Sequence, residues 1–448
     1  MKTTIRRAGQ EGSILMVTVT LSFIIGIVLL ACLSLVKNQN QSVARSQAWN
    51  TCIPVIEAGI EEAMAHLNNK RESSLAVNGW TQTGSILFRE RPFGDGFYSA
   101  VVDMTDFFRP TIICTGYVRL PAVVAMANQP LMASAVNVGG VSYISRTVQV
   151  LAKREPRWSK AMLAKDTISM SGNGIDTDSF DSSDPNYSTG GLWDPAKRKD
   201  NGDVATNSGF TNALGVGNAN VRGRISTGPG GTVNIGPNGV VGSNPWHDGG
   251  NSGIEPGYSR DDMNIWIPDV EVPWTGGALP PISGVVTGAT YTYLLAGGNY
   301  ELATLTLKKD ERIAVTAKSV FYVKGDLTML GRIDIMPGAT LELYVGGANA
   351  VIGGEGINNT GQATNFQYYG LPSNLYLDLP SNGDFTGAIY APSVDLKLNS
   401  GGSSTLNFSG ACVTRSIHLT GHYNFHYDEA LRKAGPWKDY VIVSWVEL

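Results

Sequence analysis

Charged residues are scarce in this chain of 448 residues. Asp, Glu, Lys and Arg make up 16% of it, and the formal net charge at pH 7 is −4. Outside the N-terminus the clearest basic cluster is the short AKRKD of residues 196–200, which is typical of a solvated loop. Proteins that bind nucleic acids usually carry dense Lys and Arg surfaces. The composition therefore gives no electrostatic reason to expect a nucleic-acid partner.

Cysteine is also rare, with four residues placed far apart in the sequence. They form no CxxC pair and no zinc-ligand spacing. Cys114 and Cys412 lie in apolar segments typical of strands, where a buried free thiol is common. We expect free thiols at both positions, and a disulfide between them in an exported chain is the alternative.

Short catalytic motifs are missing as well. The sequence contains no G-x-S-x-G, no P-loop and no H-E-x-x-H. The glycine-rich GGEGINNTG of residues 353–361 lacks the strand-and-helix setting of a phosphate-binding loop. We therefore predict no enzymatic activity and no cofactor.

A long uncharged run is present near the start, from Ile14 to Val36. At 1.5 Å per residue, about 23 helical residues span roughly 35 Å, which is enough to cross a hydrocarbon core of about 30 Å. The run is too long for the core of an ordinary signal peptide, and no A-x-A cleavage site closes it. Lys2, Arg6 and Arg7 precede it, so we expect a single-pass inner-membrane protein with a cytoplasmic leader (residues 1–12) and an exported C-terminus.

The apolar pattern continues beyond the span as an amphipathic one. Apolar residues recur at steps of three and four as far as residue 67, which predicts one helix over residues 13–70 that runs from the membrane into a soluble domain. Beside its apolar face lie three acidic residues, Glu57, Glu61 and Glu62. A line of carboxylates there can select a neighbouring subunit by charge, so these are candidate subunit-pairing residues; the alternative is that they only solubilise the helix.

The leader with Gly12 before Ser13, the apolar helix, and IEAGIEEAMAHL at residues 56–67 resemble the N-terminus of PilX-type minor type IV pilins. The resemblance covers about the first 70 residues. It implies cleavage after Gly12 by a prepilin peptidase, a mature chain beginning at Ser13, and other pilins or pilus-assembly proteins as partners. Val17 stands where major pilins carry a glutamate, which leaves a tip, priming or membrane-resident role better supported than one inside a filament. An unprocessed anchor is the alternative.

Residues 71–160 change to an alternating pattern. Segments such as FYSAVVDM, TIICTGYVRL and VSYISRTVQVLAK are rich in β-branched and aromatic residues, which predicts an antiparallel meander. Packed on the helix, it would complete a pilin-like α+β unit. The apolar insertion at residues 122–140 is a lid, a loop or a partner surface, and the sequence does not decide among them.

Residues 161–435 contain short strands at intervals of roughly 8 to 10 residues, separated by Gly, Asn, Asp and Ser turns. This pattern favours a right-handed parallel β-helix, a solenoid with coils of about 20 to 25 residues, over an antiparallel β-sandwich. Residues 385–431 also resemble the Gly-rich C-terminal β-solenoid module attached to PilX-type anchors in bacterial envelope proteins. A final strand is expected within residues 436–448.

A Pro-, Trp- and Gly-rich interval at residues 244–284 interrupts the strand pattern. Its Trp246, Trp266 and Trp274 are candidates for a stacking surface that binds a glycan or a partner. The alternative is that they only attach this long loop to the solenoid.

Two groups of side chains suggest metal binding. The first is an acidic turn that offers oxygen ligands for calcium, although Phe180 occupies the third ligand position of an EF-hand pattern; it contains Asp176, Asp178, Asp181 and Asp184. The second is three histidines spaced four apart, His418, His422 and His426. We expect turn-stabilising aspartates and packed histidines instead, and so no metal.

The sequence thus predicts a mostly β protein with a long N-terminal α-helix, in which a pilin-like α+β unit precedes a parallel β-helix. Its expected function is that of a membrane-anchored structural or assembly protein that displays the solenoid outside the cytoplasm, as a minor or tip pilin on a cell-surface filament. The alternatives are a carbohydrate-binding adhesin and a β-helix polysaccharide lyase or hydrolase. The candidate carboxylates for the enzyme are Asp261, Asp262, Asp334 and Asp384.

Overall fold

The computed structural model describes residues 11–69, 76–120, 135–138, 140–154, 156–172, 174–380, 383–399, 405–420, 422–433 and 439–448. Residues 1–10 of the expected leader and residues 121–134, which hold most of the apolar insertion, lie outside this set. The chain forms two compact units. The first comprises Met1–Glu155 and Lys438–Leu448, and the second comprises Pro156–Trp437. The described fold is mostly β with one long N-terminal helix, as predicted.

The helix of the first unit, α1 (Glu11–Leu67), has two different surroundings along its length. From Ile14 to Val36 its large apolar side chains are all exposed, and this part is long and apolar enough to cross a membrane. Further along, Cys52, Ile56 and Ile60 are buried in the core of the unit. One helix therefore has an uncovered apolar part and a part packed against protein.

An antiparallel sheet covers the second part of α1. Its strands are β1 (Thr81–Thr83), β2 (Ile86–Phe93), β3 (Gly96–Asp103), β4 (Thr111–Arg119), β5 (Ala135–Val138), β6 (Val141–Lys153) and, at the end of the chain, β34 (Val441–Glu447). Helix and sheet approach closely at two glycines. A Cβ atom on Gly59 would lie 2.6 Å from Cys114 Sγ, and one on Gly116 would lie 2.9 Å from the Cys52 carbonyl oxygen. Larger residues at these positions would push the helix away from the sheet.

The second unit is inserted between two neighbouring strands of the first. Strand β34 pairs antiparallel with β6, with Val441 opposite Lys153. An ion pair between Arg146 and Glu447 joins the same two strands. Tyr440, just before β34, is buried and donates its hydroxyl to the Phe107 carbonyl at 2.8 Å. The sequence predicts a final strand but not this partner.

The second unit contains many short strands. They are β7 (Met162–Ala164), β8 (Ile168–Met170), β9 (Asp176–Phe180), β10 (Val204–Thr206), β11 (Leu214–Gly217), β12 (Asn220–Arg222), β13 (Ile225–Ser226), β14 (Val233–Ile235), β15 (Val240–Gly242), β16 (Gly253–Ile254), β17 (Ser259–Arg260), β18 (Ile282–Val286), β19 (Ala289–Leu295), β20 (Gly298–Leu302), β21 (Leu305–Leu307), β22 (Arg312–Val315), β23 (Ser319–Val323), β24 (Leu327–Met329), β25 (Arg332–Ile335), β26 (Leu341–Val345), β27 (Asn349–Ile352), β28 (Gly356–Asn359), β29 (Phe366–Gly370), β30 (Tyr376–Leu379), β31 (Phe385–Asn399), β32 (Leu406–Thr420) and β33 (Tyr423–Asp428). A short helix, α2 (Asn244–Asp248), and 3-10 turns at Pro195–Lys197, Ala363–Asn365 and Glu429–Lys433 complete the unit.

Parallel pairing dominates these strands. Strand β20 pairs with β23, β23 with β26, and β26 with β29, so each strand pairs with the third one after it. Only β18 and β19 pair antiparallel among the described strands of this unit. An antiparallel β-sandwich is therefore excluded. Strands that pair side by side form a stack, and we call the position of each strand in that stack a level. Adjacent levels are about 4.8 Å apart.

Aromatic rings stack from level to level inside the unit. Phe385 and Phe408 have ring centroids 4.6 Å apart, and Phe408 and Phe425 have centroids 4.3 Å apart. Phe366 meets Phe385 edge-on at 5.7 Å. This row of rings forms part of one continuous apolar core.

The first strand of the second unit, β7, lies in the middle of the stack of paired strands and not at its end. Strand β7 pairs on one side with β10 and on the other with β32, so its two neighbours come from distant parts of the sequence. The chain then proceeds through β10 and β13 to β17, and residues 261–278, here called the strap, cross the intervening levels towards β20. From there β20 to β33 return to the starting level, where β33 pairs with β9.

Contacts of the strap follow the order of the levels. Ile265 donates its backbone N–H to Asn207 at 3.0 Å, near the end of β10. Further on, the Pro268 carbonyl accepts a hydrogen bond from the Tyr390 hydroxyl at 2.7 Å. Gly277 then donates its N–H to Glu301 in β20 at 2.9 Å. The strap thus connects levels that do not pair with one another.

Candidate functional site

The predicted aromatic surface of the long loop is spread over several levels. Trp246 lies in α2 beside Gly242 of β15. Trp274 lies in the strap, with its ring centroid 6.4 Å from that of Tyr344 in β26. Trp266 is 77% exposed. Because β15 and β26 are separated by several levels, Trp246 and Trp274 lie on different parts of the unit.

The candidate pairing carboxylates of the first unit fall into two groups. Glu62 forms ion pairs with Arg89 at 2.9 Å and with Arg91 at 3.3 Å, so its charge is used within the unit. Glu57 and Glu61 are exposed, one helical turn apart. These two remain available to an approaching subunit. Gly12 and Ser13 lie in the first turn of α1.

The cysteines and the acidic turn have no metal or disulfide partner among the described residues. Cys114 and Cys412 are buried free thiols, and burial raises the pKa of the Cys114 thiol to about 12. Asp181 and Asp184 close local turns: their Oδ1 atoms accept the backbone N–H groups of Ser183 and Asn186, both at 2.9 Å. No group of three metal-ligating side chains occurs in the described ranges.

The three histidines also differ in their surroundings. His418 is exposed, whereas His426 is only 2% exposed. His426 Nδ1 lies 2.6 Å from Asp178 Oδ1, and its Nε2 lies 3.1 Å from Asn407 Oδ1. Trp193 stacks on the imidazole with ring centroids 3.7 Å apart, and donates its indole N–H to Asp178 at 3.2 Å. We call these four residues the His426 network.

Two carboxyl groups next to this network, Asp176 and Asp428, are buried, and burial disfavours their charged forms. Burial raises the pKa of Asp176, and the nearby Asp178 raises it further against the opposing effect of Arg222. Asp176 Oδ1 has no hydrogen-bond partner among the described side and main chains. Burial likewise raises the pKa of Asp428, although backbone N–H groups of Ser182 and Ala430 donate to it and oppose the shift. An ionised carboxylate is thus disfavoured at both positions.

The segment between β9 and β10, residues 181–203, is held against these strands. Lys199 pairs with Glu429 at 2.5 Å, and Ser179 and Asn201 donate to the same carboxylate at 2.9 and 2.8 Å. Together with the stacking of Trp193 on His426, these contacts fix the position of the segment. It presents Leu192 and Trp193 to an adjoining depression.

This depression consists of two adjoining cavities of about 710 and 150 Å³, which share Leu192, Asp384 and Thr386. The larger one lies within the range of about 300–1,000 Å³ that is typical of ligand sites. We call the two together the polar groove. Its other lining side chains are Phe180, Trp193, Lys309, Leu330, Arg332, Glu355, Ile357, Asn358, Asn359, Thr360, Gln362, Ala363, Asn407 and Ser409.

Polar side chains along the groove are held by their neighbours on the next level. Asp384 accepts hydrogen bonds from the backbone N–H of Asn407 at 2.8 Å and from its side-chain amide at 3.2 Å. Asn358 donates in the same way to Asp334 at 2.5 Å. Of the four candidate carboxylates, Asp384 therefore lies in the groove and Asp334 directly beside it. Asp261 and Asp262 are exposed at the start of the strap.

A sequence signal for this groove exists and was missed. The triplets at residues 384–386, 407–409 and 424–426 read DFT, NFS and NFH. In each, the Phe enters the stacked row of rings. The polar residues on either side belong to the groove or to the His426 network, except Asn424, which donates to Asn407 at 3.3 Å. The alternation is that of a strand with one face in the core and one face outside. Aligning the triplets would have placed Asp384, Asn407 and Asn424 side by side, and likewise Thr386, Ser409 and His426.

Comparison with known proteins gives one match. Residues 279–434 match the family model of a domain of unknown function, DUF7305. The matched segment contains the groove residues from Lys309 to Ser409, but not Leu192 and Trp193. No curated protein and no solved structure matches the chain.

Proposed function

We propose that the protein is a membrane-anchored, pilin-like structural protein that displays a parallel β-solenoid outside the cytoplasm. The observation that carries the proposal is the division of α1, whose exposed apolar part from Ile14 to Val36 continues into a part packed on an antiparallel sheet. An apolar surface of this length is stable in lipid or in the core of a filament. A second, larger unit inserted into the sheet is what such an anchor would carry.

Support for a solenoid comes from the pairing pattern of the second unit. Paired residues on neighbouring levels lie about one coil apart in sequence: Ser319 pairs with Leu341, and Phe385 with Phe408. These separations agree with the coil length of about 20 to 25 residues expected from the strand spacing. A rigid stack of this kind suits display and assembly, and the proposal includes no catalytic step.

Processing of the N-terminus tests the pilin-like part. The full chain is co-expressed with a prepilin peptidase, and the intact mass of the membrane-extracted protein is measured. We expect a chain that begins at Ser13, and we expect Gly12→Leu to block cleavage. The matched control is Gly9→Leu, which changes a glycine three residues earlier and should leave cleavage intact. Recovery of the uncut chain with an active peptidase would reduce the N-terminus to a plain anchor.

Incorporation into a filament tests the assembly part. Glu57 and Glu61 are exposed on α1, so reversing both charges (Glu57→Lys with Glu61→Lys) should reduce recovery of the protein in sheared filaments at least fivefold. Glu90→Lys, at an exposed position of β2, is the control and should have no effect. Equal recovery of the double variant and the wild type would remove these residues from subunit pairing.

Topology is tested by protease treatment of spheroplasts. If the C-terminal part is exported, protease added outside should digest the second unit, while inverted vesicles should protect it. The opposite result would place both units in the cytoplasm and exclude display outside the cell.

A further inference from the structure

The proposed anchoring and assembly do not use the polar groove, whose larger cavity has a volume of about 710 Å³. We propose that it is a binding site for a neutral oligosaccharide chain. This inference does not depend on the leader, the membrane or a filament. It rests on three properties of the groove: preset polar groups, exposed apolar walls and balanced charge.

The first property is a row of polar groups set at regular levels. Thr386 and Ser409 are paired residues on adjacent strands, and both line the groove. Their hydroxyls have no hydrogen-bond partner among the described residues. Asp384 retains acceptor capacity beyond its two bonds from Asn407, because each carboxylate oxygen has two lone pairs. Sugar hydroxyls, which both donate and accept, match such a row.

The levels also give the row a useful length. From Arg332 the groove passes through Asn358 and Asp384 to Asn407, and each step is one level of the stack. Three steps of about 4.8 Å extend over roughly 15 Å. A chain of several sugar rings fits this length better than a single ring.

Apolar walls are the second property. Leu192 is 46% exposed and Leu330 is 51% exposed, and both line the larger cavity. Trp193 is half-buried; it lies on His426 and lines the smaller cavity. The C–H faces of a sugar ring are apolar and pack well on Leu and Trp side chains. The walls and the polar row together match the two kinds of surface on an oligosaccharide.

Charge is the third property, and it selects a neutral chain. The titratable side chains that line the two cavities are two bases, Lys309 and Arg332, and two acids, Glu355 and Asp384. Arg332 is already paired with Glu355 and with Asp334, both at 2.8 Å. An acidic polymer would need a surplus of basic groups, whereas the lining carries as many acids as bases.

The test uses isothermal titration calorimetry on the full chain in lauryldimethylamine oxide, a detergent without a sugar head group. The probes are maltoheptaose, cellohexaose and chitohexaose, with hexagalacturonate as the acidic comparison. We expect saturable binding of at least one neutral probe, and weaker binding of the acidic one. No saturable binding of any neutral probe, or a preference for hexagalacturonate, would overturn the proposal.

A matched pair of aspartates locates the site. Asp326 accepts hydrogen bonds from Asn349 just as Asp384 accepts them from Asn407, from the backbone N–H at 2.9 Å and the side-chain amide at 3.5 Å, but it does not line the groove. Asp384→Ala should weaken binding at least tenfold, and Asp326→Ala should change it less than twofold. Equal effects of the two variants, or none from Asp384→Ala, would contradict the assignment.

A second pair of variants tests the same site in case Asp384→Ala does not fold. Leu330 and Leu375 are both partly exposed leucines of this unit, and only Leu330 lines the groove. Leu330→Ala should weaken binding at least threefold, whereas Leu375→Ala should leave it unchanged. The reverse order would place the ligand elsewhere on the unit.

Discussion

Replacing Phe408 tests the stacked core of the second unit most directly. Its side chain is 0% exposed and lies between two other rings, Phe385 at 4.6 Å and Phe425 at 4.3 Å. Those neighbours come from the preceding and following levels, so the contacts exist only if the strands stack in parallel register. Phe408→Ala removes both contacts at once.

The expected cost follows from burial. Truncating a fully buried Phe to Ala costs about 3–5 kcal/mol, from lost transfer free energy and from the cavity that remains. Of this, two ring pairs at about 0.5–1.5 kcal/mol each account for roughly 1–3 kcal/mol. Phe408→Leu keeps most of the apolar volume and loses mainly the ring pairs, so it should cost about half as much.

Urea unfolding of the full chain in detergent, followed by tryptophan fluorescence, measures these costs. The control is Phe210→Ala, because Phe210 is 76% exposed and its truncation should change the free energy of unfolding by less than about 0.5 kcal/mol. If Phe408→Ala costs no more than this control, or if Phe408→Leu costs as much as Phe408→Ala, the stacked-core reasoning is wrong.

Three further predictions concern single contacts. Burial raises the pKa of Asp176 above its ordinary value of 3.8, so the protonated side chain stabilises the fold and this stabilisation is lost as pH rises through the raised pKa. Asp176→Asn mimics the protonated form, so it should raise Tm at pH 7. The gain should disappear near pH 4, where Asp176 itself is protonated in the folded state. Tyr390→Phe removes the hydrogen bond to the Pro268 carbonyl and should lower the free energy of unfolding in urea by about 1 kcal/mol. Glu62→Ala removes a partly buried partner of Arg89 and should cost up to about 1 kcal/mol in the first unit, measured by circular dichroism of its helix on heating.

Each of these has a control and a contradicting result. For the pH effect, a gain in Tm from Asp176→Asn that grows as pH falls would reverse the sign of the argument. For the strap, the control is Tyr258→Phe, because the Tyr258 hydroxyl has no hydrogen bond among the described residues. If Tyr258→Phe and Tyr390→Phe lowered the free energy of unfolding equally, the hydrogen bond to the strap would contribute nothing. For Glu62, the control is the exposed Glu61→Ala, and a larger loss from that control would contradict the ion-pair assignment.

Local patterns predicted the elements well because their causes are local. The uncharged run from Ile14 to Val36 predicted the long helix, and Gly, Asn and Asp at turns predicted many short strands. The apolar segments around Cys114 and Cys412 predicted buried side chains, and both side chains are buried in the described structure.

Long-range pairing was not predicted because nothing in a short window encodes it. Asp178 and His426 are 248 residues apart in the sequence but in contact in the fold. From the sequence alone they fell into two separate groups of possible metal ligands. Val441 pairs with Lys153 across the entire second unit. The interval at residues 244–284 was recognised as unusual, but its course as a strap across the levels depends on where the chain turns back. Such features follow from topology, which periodicity does not specify.

The position of β7 in the middle of the pairing order has a consequence for folding during synthesis. Strand β7 emerges first, yet one of its two neighbours, β32, is made about 250 residues later. Until then one edge of β7 to β9 stays unpaired, and contacts of such wide separation form slowly. The second unit therefore cannot complete its strand pairing in chain order as it leaves the ribosome. Its early strands have to be kept from aggregating until the last residues arrive, which predicts a dependence on a holding chaperone during biogenesis.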